Sequence, residues 1–581
     1  MDHKKTYDAW VENCTDEEKK ELLAIADDEK EIKERFTLPL AFGTAGMRGT
    51  IALGISNMNV YTVARATKGL ADYVNGLGAA EAERGVVVSY DTRRMSFEFA
   101  LITARVLAAN KINVRMFEDV RPVPMCSYAV RHTNAIAGVM ITASHNPKEY
   151  NGYKVYGEDG AQMSPEATAV VVDFIDKTDY FGIKLADVVT TDRSGIKGKD
   201  GFKLNDYITV IGKSLDEDYY AEISKLSLSP EAVAAEGAKM KLVYSPIHGS
   251  GYVPVTTMLS RMGIKVEVVE EQKNPDTEFS TVVMPNPEQP DALKLGIKLA
   301  DKISADVVIG TDPDCDRMGV AVRDDKGEFT LLTGNQIGAL LLDYILLRHK
   351  ERGDLPANGA VVKTIVTTNL ADKIAKSYGM TVYDVLTGFK FIGEKIKEWE
   401  SSGEHTFMFG YEESYGYLSG THARDKDAVV ASMLFSEMVC YHQYKGKKLY
   451  DRLQEIFETY GYFAETSKSF AFKGLDGMQK MADIMEKARA EYFTEFAGIK
   501  TVSKLDFKKR VEKFADGKTA PITLPETNVI KYTLGNDEWV CIRPSGTEPK
   551  LKVYVSVNAK TAEEADERRK AVLEAAEGKL L

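Results

Sequence analysis

At 581 residues the chain is too long for a single hydrophobic core and should divide into about three to five domains. Hydrophobic residues make up 44% and charged residues 28%, the balance of a soluble globular protein, and the formal charge of -12 disfavours nonspecific nucleic-acid binding, so an anionic substrate would need a local basic site. Five scattered cysteines (Cys14, Cys126, Cys315, Cys440, Cys541) without a Cys-x-x-Cys pair argue against a disulfide framework or a structural zinc site.

Residues 1–25 are charged and amphipathic, without the basic flank and apolar stretch of a secretory signal, which predicts a cytoplasmic protein. From about 86 to 450, β-rich runs alternate with amphipathic helical segments. Runs 86–90, 112–117 and 136–142 form one set; 240–245, 266–269 and 307–310 a second; 361–367, 381–385 and 406–410 a third. Such alternation predicts parallel or mixed sheets covered by helices, repeated three times. Pro and Gly clusters at 245–254 and 285–290 read as loops bordering a cleft.

No segment reaches the roughly 20 uninterrupted apolar residues of a membrane helix. The nearest, 336–347, is broken by Asp343; its start near Thr333 and Asn335 predicts a buried helix instead. The tail changes character: 478–496 reads as helical, then come β-rich runs 529–533, 538–542 and 551–557 and a charged helix from 562 to about 577, a smaller α+β domain. Boundaries are expected near 203, 326 and 452, giving segments 1–203, 204–326, 327–452 and 453–581.

Four short constellations carry the candidate chemistry. Thr142-Ala143-Ser144-His145-Asn146-Pro147 puts a serine on a tight turn after an apolar run, followed by Lys148 and, further on, Lys154. A serine so placed can carry phosphate, although Ser, Asn and Pro are also ordinary turn and cap residues. Asp312-Pro313-Asp314-Cys315-Asp316-Arg317 sets three carboxylates at alternate positions after a strand-like run, a hard-oxygen set suited to magnesium, or else a solvated acidic turn. A calcium-binding helical-hand loop is excluded because its sixth and twelfth positions would be Arg317 and Arg323.

In Gly410-Tyr411-Glu412-Glu413-Ser414-Tyr415-Gly416 a carboxylate and a hydroxyl two residues apart can read adjacent sugar hydroxyls, with an acidic surface turn as the alternative. Lys390 before a helix, and Arg424 and Lys426 after that loop, add possible phosphate or sugar contacts. In Arg543-Pro544-Ser545-Gly546-Thr547-Glu548-Pro549 the turn can converge N–H groups, hydroxyls and a guanidinium on an anion, or be a plain hairpin turn; it lacks the pattern of a nucleotide phosphate loop.

In this order and spacing, and with Phe42-Gly43-Thr44-Ala45-Gly46-Met47-Arg48-Gly49 near the start, these stretches resemble the α-D-phosphohexomutase family of phosphoglucomutases and phosphomannomutases, in its long bacterial and eukaryotic phosphoglucomutase branch. The resemblance implies four domains around a central cleft, three similar α/β domains with mixed sheets and a smaller C-terminal α+β domain. It implies that Ser144 is phosphorylated and completes a site for one Mg2+ per subunit with Asp312, Asp314 and Asp316, beside Arg317. Glu412 and Ser414 would read the sugar, and Arg543, Ser545, Gly546 and Thr547 would hold its standing phosphate. Arg48, Lys154, Lys390, Arg424 and Lys426 would be further contacts, with His145 and Lys154 as candidates to move protons.

The reaction implied interconverts glucose 1-phosphate and glucose 6-phosphate, with glucose 1,6-bisphosphate as intermediate and activator. Mannose or pentose phosphates are alternative substrates within the family. A haloacid-dehalogenase-type phosphatase using Asp312 as nucleophile leaves the other motifs unexplained, and a noncatalytic sugar-phosphate sensor finds no sign of decay in Ser144 or the Asp triplet. No nucleic-acid or membrane partner is expected.

Overall fold

The structure, a computed structural model, describes residues 2–43, 46–472, 477–545 and 550–580. Its contacts divide the chain into two units: residues 1–332, 392–403 and 415–445 form the first, and 333–391, 404–414 and 446–581 the second. The segment expected as a third domain is thus shared between them. Among the described residues no helix is long and apolar enough to cross a membrane, and the five cysteines are buried and free.

The first unit opens with helices His3–Asn13, Asp16–Leu23 and Glu29–Phe36. Each starts on an oxygen that accepts orphan N–H groups: Asp2, then Thr15 in a capping box with Glu18, then Asp28. Trp10, Leu22 and Phe36 bury themselves together with Tyr61, Tyr180 and Phe181. Beside them lies a six-stranded mixed sheet in the order Gly46–Thr50, Tyr150–Gly157, Ala137–Ile141, Val86–Tyr90, Val114–Phe117, Ile208–Ile211. The last four strands run parallel, and Tyr150–Gly157 is antiparallel to both neighbours. Val86–Tyr90 and Ala137–Ile141 are buried at every position, as expected of strands covered on both faces. Gly46 has φ 143°, and a Cβ there would lie 2.0 Å from the Tyr153 carbonyl oxygen, so only glycine lets the edge strand pair beside Lys154.

A second sheet runs Phe329–Leu331, Met318–Arg323, Val307–Thr311, Leu242–Ser245, Val266–Val268. Helix Tyr252–Met262 starts inside the stretch expected to be loop: Pro254 sits in its first turn, where the missing N–H has no intrahelical partner to lose. Helix Ala428–Tyr444, capped by Asp427, buries nearly its whole length and packs on helices Pro230–Glu236 and Tyr252–Met262.

In the second unit, strand Gly359–Thr364 lies between the parallel strands Thr381–Val385 and Thr406–Glu412. The expected strand to 367 stops at Thr364, where the Thr367 N–H turns back to the Thr364 carbonyl at 3.0 Å. Helix Gly334–Arg352 carries the capping box expected at Thr333, and Asp343, the charge interrupting its apolar run, is buried in a 2.9 Å pair with Arg452. The C-terminal domain is an antiparallel sheet in the order Tyr462–Ala471, Lys550–Ala559, Trp539–Pro544, Ile530–Leu534, Ile499–Asp506, Val511–Phe514, Thr519–Pro521, with helices Gly477–Ala490 and Ala562–Leu580. The helix expected over 478–496 ends at Ala490; Glu495–Phe496 instead pairs with Ile499 and Lys500 across an Ala497-Gly498 turn whose φ values are 48° and 78°. Within this unit Ile365, Val366 and Leu386 share one core with Phe507, Trp539, Cys541 and Tyr554.

Candidate active site

Ser144 follows the C-terminal end of strand Ala137–Ile141, and Asp312 follows the C-terminal end of Val307–Thr311, the position where open α/β sheets present ligand groups. Both loops turn through left-handed residues, Ser144 itself (φ 52°) and Cys315 (φ 50°). Thr142 Oγ1 accepts the Ser144 N–H at 2.8 Å. The Ser144 hydroxyl lies 3.0 Å from Asp312 Oδ2 and 3.1 Å from His145 Nδ1. Burial, with Arg317 and Arg48 nearby, holds the His145 imidazole well below its ordinary pKa, favouring the neutral ring.

Asp312, Asp314 and Asp316 are buried, and one carboxylate oxygen from each lies within 4.8 Å of the others. Asp312 Oδ1 accepts the backbone N–H groups of Asp316 (3.1 Å) and Arg317 (2.9 Å), which curls the loop around it. Asp314 Oδ1 and Asp316 Oδ1 are buried with no hydrogen-bond donor among the described residues. Burial and the neighbouring carboxylates push Asp312 and Asp316 above the usual carboxylate range; at Asp314 burial acts the same way, but Lys154, the hydrogen bond with Asp312 and Lys426 together outweigh it and hold the group low. Three buried carboxylates with oxygens left over, and no nitrogen or sulfur among them, could hold a hard divalent cation.

Two lysines flank the cluster. Lys154 Nζ is 2.9 Å from Asp314 and 3.5 Å from Asp316, and these carboxylates outweigh its burial and raise its pKa. Lys426 Nζ is 3.0 Å from both Asp316 and Asp425. Its stem runs over Gly416, where a Cβ would lie 2.1 Å from Lys426 Cδ. Lys426 therefore sits against the carboxylates. Arg317 pairs with Glu288 at 2.6 Å, and Arg48 donates to Asn146 Oδ1 at 3.1 Å, two residues past Ser144. Arg424, expected as a substrate contact, is 1% exposed; its Nη atoms pair with Glu400 and with the carbonyls of Thr421 and Ala423, while its buried Nε has no hydrogen-bond partner among the described residues.

The remaining expected residues lie in the second unit. Glu412 ends strand Thr406–Glu412, and its Oε1 accepts the Gly388 N–H at 3.0 Å, which ties it to the loop before Lys390. Lys390 Nζ stands 4.8 Å over the Phe391 ring. Ser414 is in the turn that follows Glu412, beside Glu413, which accepts from Thr364 Oγ1 at 3.3 Å. Arg543 is opposite Lys552 on the paired strand, and the Ser545 N–H donates to the Lys550 carbonyl at 2.7 Å, closing the loop. Gly546 and Thr547 lie outside the described residues, as do Thr44 and Ala45.

Sequence reasoning missed Arg93 and Asp425. Arg93 underlies the Ser144 turn, donating to the carbonyls of Ser144, Asn146, Pro147 and Tyr150. Asp425 accepts from Tyr156 Oη at 2.9 Å and holds Lys426. The signal available for Arg93 was its place three residues past an all-buried strand; Asp425 stood inside a motif where only the basic residues drew notice.

Comparison with known proteins identifies the chain's relatives. Residues 39–181, 217–327 and 333–460 match alpha/beta/alpha domains I, II and III of phosphoglucomutase/phosphomannomutase, and 485–575 match its C-terminal domain. A Staphylococcus epidermidis protein named phosphoglucomutase is 39% identical over 533 residues, 91% of this chain and 92% of its own. A Staphylococcus aureus protein of the same name is 35% identical over 572 residues, 97% of this chain and 98% of its own. Among solved structures, Paramecium parafusin, a phosphoglucomutase, superposes with a TM-score of 0.66 at 17% identity over 92% of this chain and 94% of its own. A Burkholderia thailandensis phosphoglucomutase/phosphomannomutase family protein gives 0.64 at 15% identity over 93% and 97%, a likeness of fold.

Proposed function

The chain belongs to the phosphoglucomutase/phosphomannomutase family, and from that premise we propose that it is a phosphoglucomutase, interconverting α-D-glucose 1-phosphate and glucose 6-phosphate through a phosphoserine at Ser144. The observation that carries the reading is the Ser144 hydroxyl 3.0 Å from Asp312, the first of three clustered carboxylates. A nucleophile set against a site for a hard cation is what phosphoryl transfer requires.

The phosphoryl group on Ser144 passes to the free hydroxyl of the hexose phosphate: the bond from phosphorus to Oγ breaks, a bond to the sugar oxygen forms, and the sugar hydroxyl's proton ends, net, on Oγ, which becomes a hydroxyl. The bisphosphate so formed is glucose 1,6-bisphosphate. It turns over, the bond between its other phosphorus and the sugar oxygen breaks as one to Oγ forms, and the Oγ proton ends, net, on the sugar oxygen that is freed. His145, neutral and 3.1 Å from Oγ, is placed to exchange a proton there. Lys154, whose pKa the neighbouring Asp314 and Asp316 raise, would add positive charge beside the carboxylates. Arg48 and Arg317 would add positive charge near His145, whose pKa both depress.

Asp312, Asp314 and Asp316 would hold one Mg2+, with the phosphoserine as a further ligand, and bound there it would offset the charge that builds on the transferring phosphoryl group. In the second unit Glu412 and Ser414 would read sugar hydroxyls, while Lys390, Arg543, Ser545 and the loop through Gly546 and Thr547 would hold the standing phosphate, reading charge more than ring position. We place the enzyme in the cytoplasm, with catalytic glucose 1,6-bisphosphate as its activator. Initial rates on glucose 1-phosphate, mannose 1-phosphate and ribose 1-phosphate test the substrate: glucose 1-phosphate should give the highest kcat/KM, and a higher value for either rival would replace glucose as the natural sugar.

A further inference from the structure

We propose that Arg93 is the positioning residue of the reactive serine, fixing the Ser144 turn and the Lys154 strand as one rigid piece. The inference rests on the phosphoserine reading of Ser144. The Arg93 side chain is wholly buried, and it donates to the Ser144 carbonyl rather than to its hydroxyl. One nitrogen, Nη2, donates to the carbonyls of Ser144 (2.6 Å) and Asn146; the other, Nη1, donates to Pro147 (2.9 Å) and Tyr150 (3.1 Å). Four carbonyls within seven residues thus converge on one planar, permanently charged group.

The backbone there needs such a partner. Ser144 is left-handed; the turn's own backbone reaches the Pro147 carbonyl, through the Tyr150 N–H at 3.1 Å, whereas the Ser144 and Asn146 carbonyls take their donors from Arg93, and a buried carbonyl without a donor is costly. The last carbonyl in the set, Tyr150, opens the strand Tyr150–Gly157 that carries Lys154, whose ammonium meets Asp314 at 2.9 Å. A single guanidinium therefore sets the distance between the nucleophile and the cation that faces the metal carboxylates.

Arg93 is itself immobilised. Its Nε is 3.5 Å from Asp91, which accepts the Ser96 hydroxyl at 2.7 Å and the Arg93 N–H at 2.9 Å. Its outer face lies 5.1 Å from the centre of the Phe279 ring, a buried residue from the loop beyond the second sheet's edge strand. Lysine cannot substitute: three donors on a tetrahedral head cannot serve four carbonyls spread across a plane.

The test compares wild type, Arg93→Ala and Arg93→Lys in the full chain, measuring kcat and KM for glucose 1-phosphate with saturating bisphosphate, and Mn2+ affinity by electron paramagnetic resonance. The proposal predicts that Arg93→Ala lowers kcat by ~100-fold or more with KM within ~3-fold, because the nucleophile is misplaced rather than the substrate lost. Mn2+ binding is not weakened, and methylguanidine restores at least ~10-fold of the lost kcat in Arg93→Ala but not in Arg93→Lys. A folded Arg93→Ala with kcat within ~3-fold of wild type overturns the proposal, as does loss of Mn2+ binding together with kcat, which marks a general collapse of the site. Should Arg93→Ala fail to fold, Arg93→Lys decides: kcat at least ~10-fold down supports the proposal and wild-type kcat overturns it. Wild type that never carries phosphate on Ser144 refutes the mutase reading and this inference together, whereas normal phosphorylation and turnover in Arg93→Ala refutes the inference alone.

Discussion

Ser144 Oγ and Asp312 Oδ2 are 3.0 Å apart although 168 residues separate them in the chain. The fold brings the end of one sheet's strand to the end of another's to make that contact. A phosphate on Ser144 would carry close to two negative charges directly against a carboxylate that already shares its surroundings with Asp314 and Asp316. Phosphorylation and cation binding must therefore favour one another, by linkage: each lowers the electrostatic cost of the other.

Asp314→Asn tests that dependence. The substitution keeps size but removes one anionic ligand and the 2.9 Å partner of Lys154. It should weaken Mg2+ binding by at least ~10-fold and abolish most turnover while the fold persists. Unchanged metal dependence would move the ligands elsewhere.

Arg543→Ala should act on binding. Loss of a charge-assisted, bidentate contact is worth about 2 kcal/mol, so KM for glucose 1-phosphate should rise by ~10- to 100-fold, and Arg543→Lys should recover only part of it. With substrate dissociation shown to be fast, an unaltered KM in Arg543→Ala would exclude the phosphate-holding role.

Glu412→Gln separates sugar reading from metal binding. Glutamine preserves an oxygen that can accept the Gly388 N–H, now 3.0 Å from Glu412 Oε1, so the loop should keep its shape. Turnover on glucose 1-phosphate should fall by ~10-fold or more, as expected when a hydrogen bond to a charged group is weakened, with Mg2+ affinity at the Asp triplet intact. If both fall together, the loop is structural.

Legibility in the sequence followed the range of the interactions. The strands carrying Ser144 and Asp312 are continuous apolar runs, and the Thr333 cap is a local pattern, so both could be read from the chain. The helix expected through 496 could not end correctly, because its stop depends on Glu495 and Phe496 finding Lys500 and Ile499 across a turn. Arg424 looked like a ligand contact because its charge is visible in sequence, whereas its burial against Glu400 is set by a helix elsewhere in the chain. Arg93 was illegible for the opposite reason: its partners are backbone carbonyls, which carry no side-chain signature.

The most direct test of the account is priming. Protein stripped of phosphate, with the loss confirmed by mass and the stripping phosphatase removed, is assayed for glucose 6-phosphate formation from glucose 1-phosphate, with and without catalytic glucose 1,6-bisphosphate. Ser144→Ala, which should fold normally, serves as the control. The account predicts no activity without bisphosphate, rapid activity with it, one phosphate regained on Ser144, and no activity in Ser144→Ala under either condition. Full immediate turnover by verified unphosphorylated protein without bisphosphate, or wild-type rates in Ser144→Ala, would contradict the phosphoserine cycle.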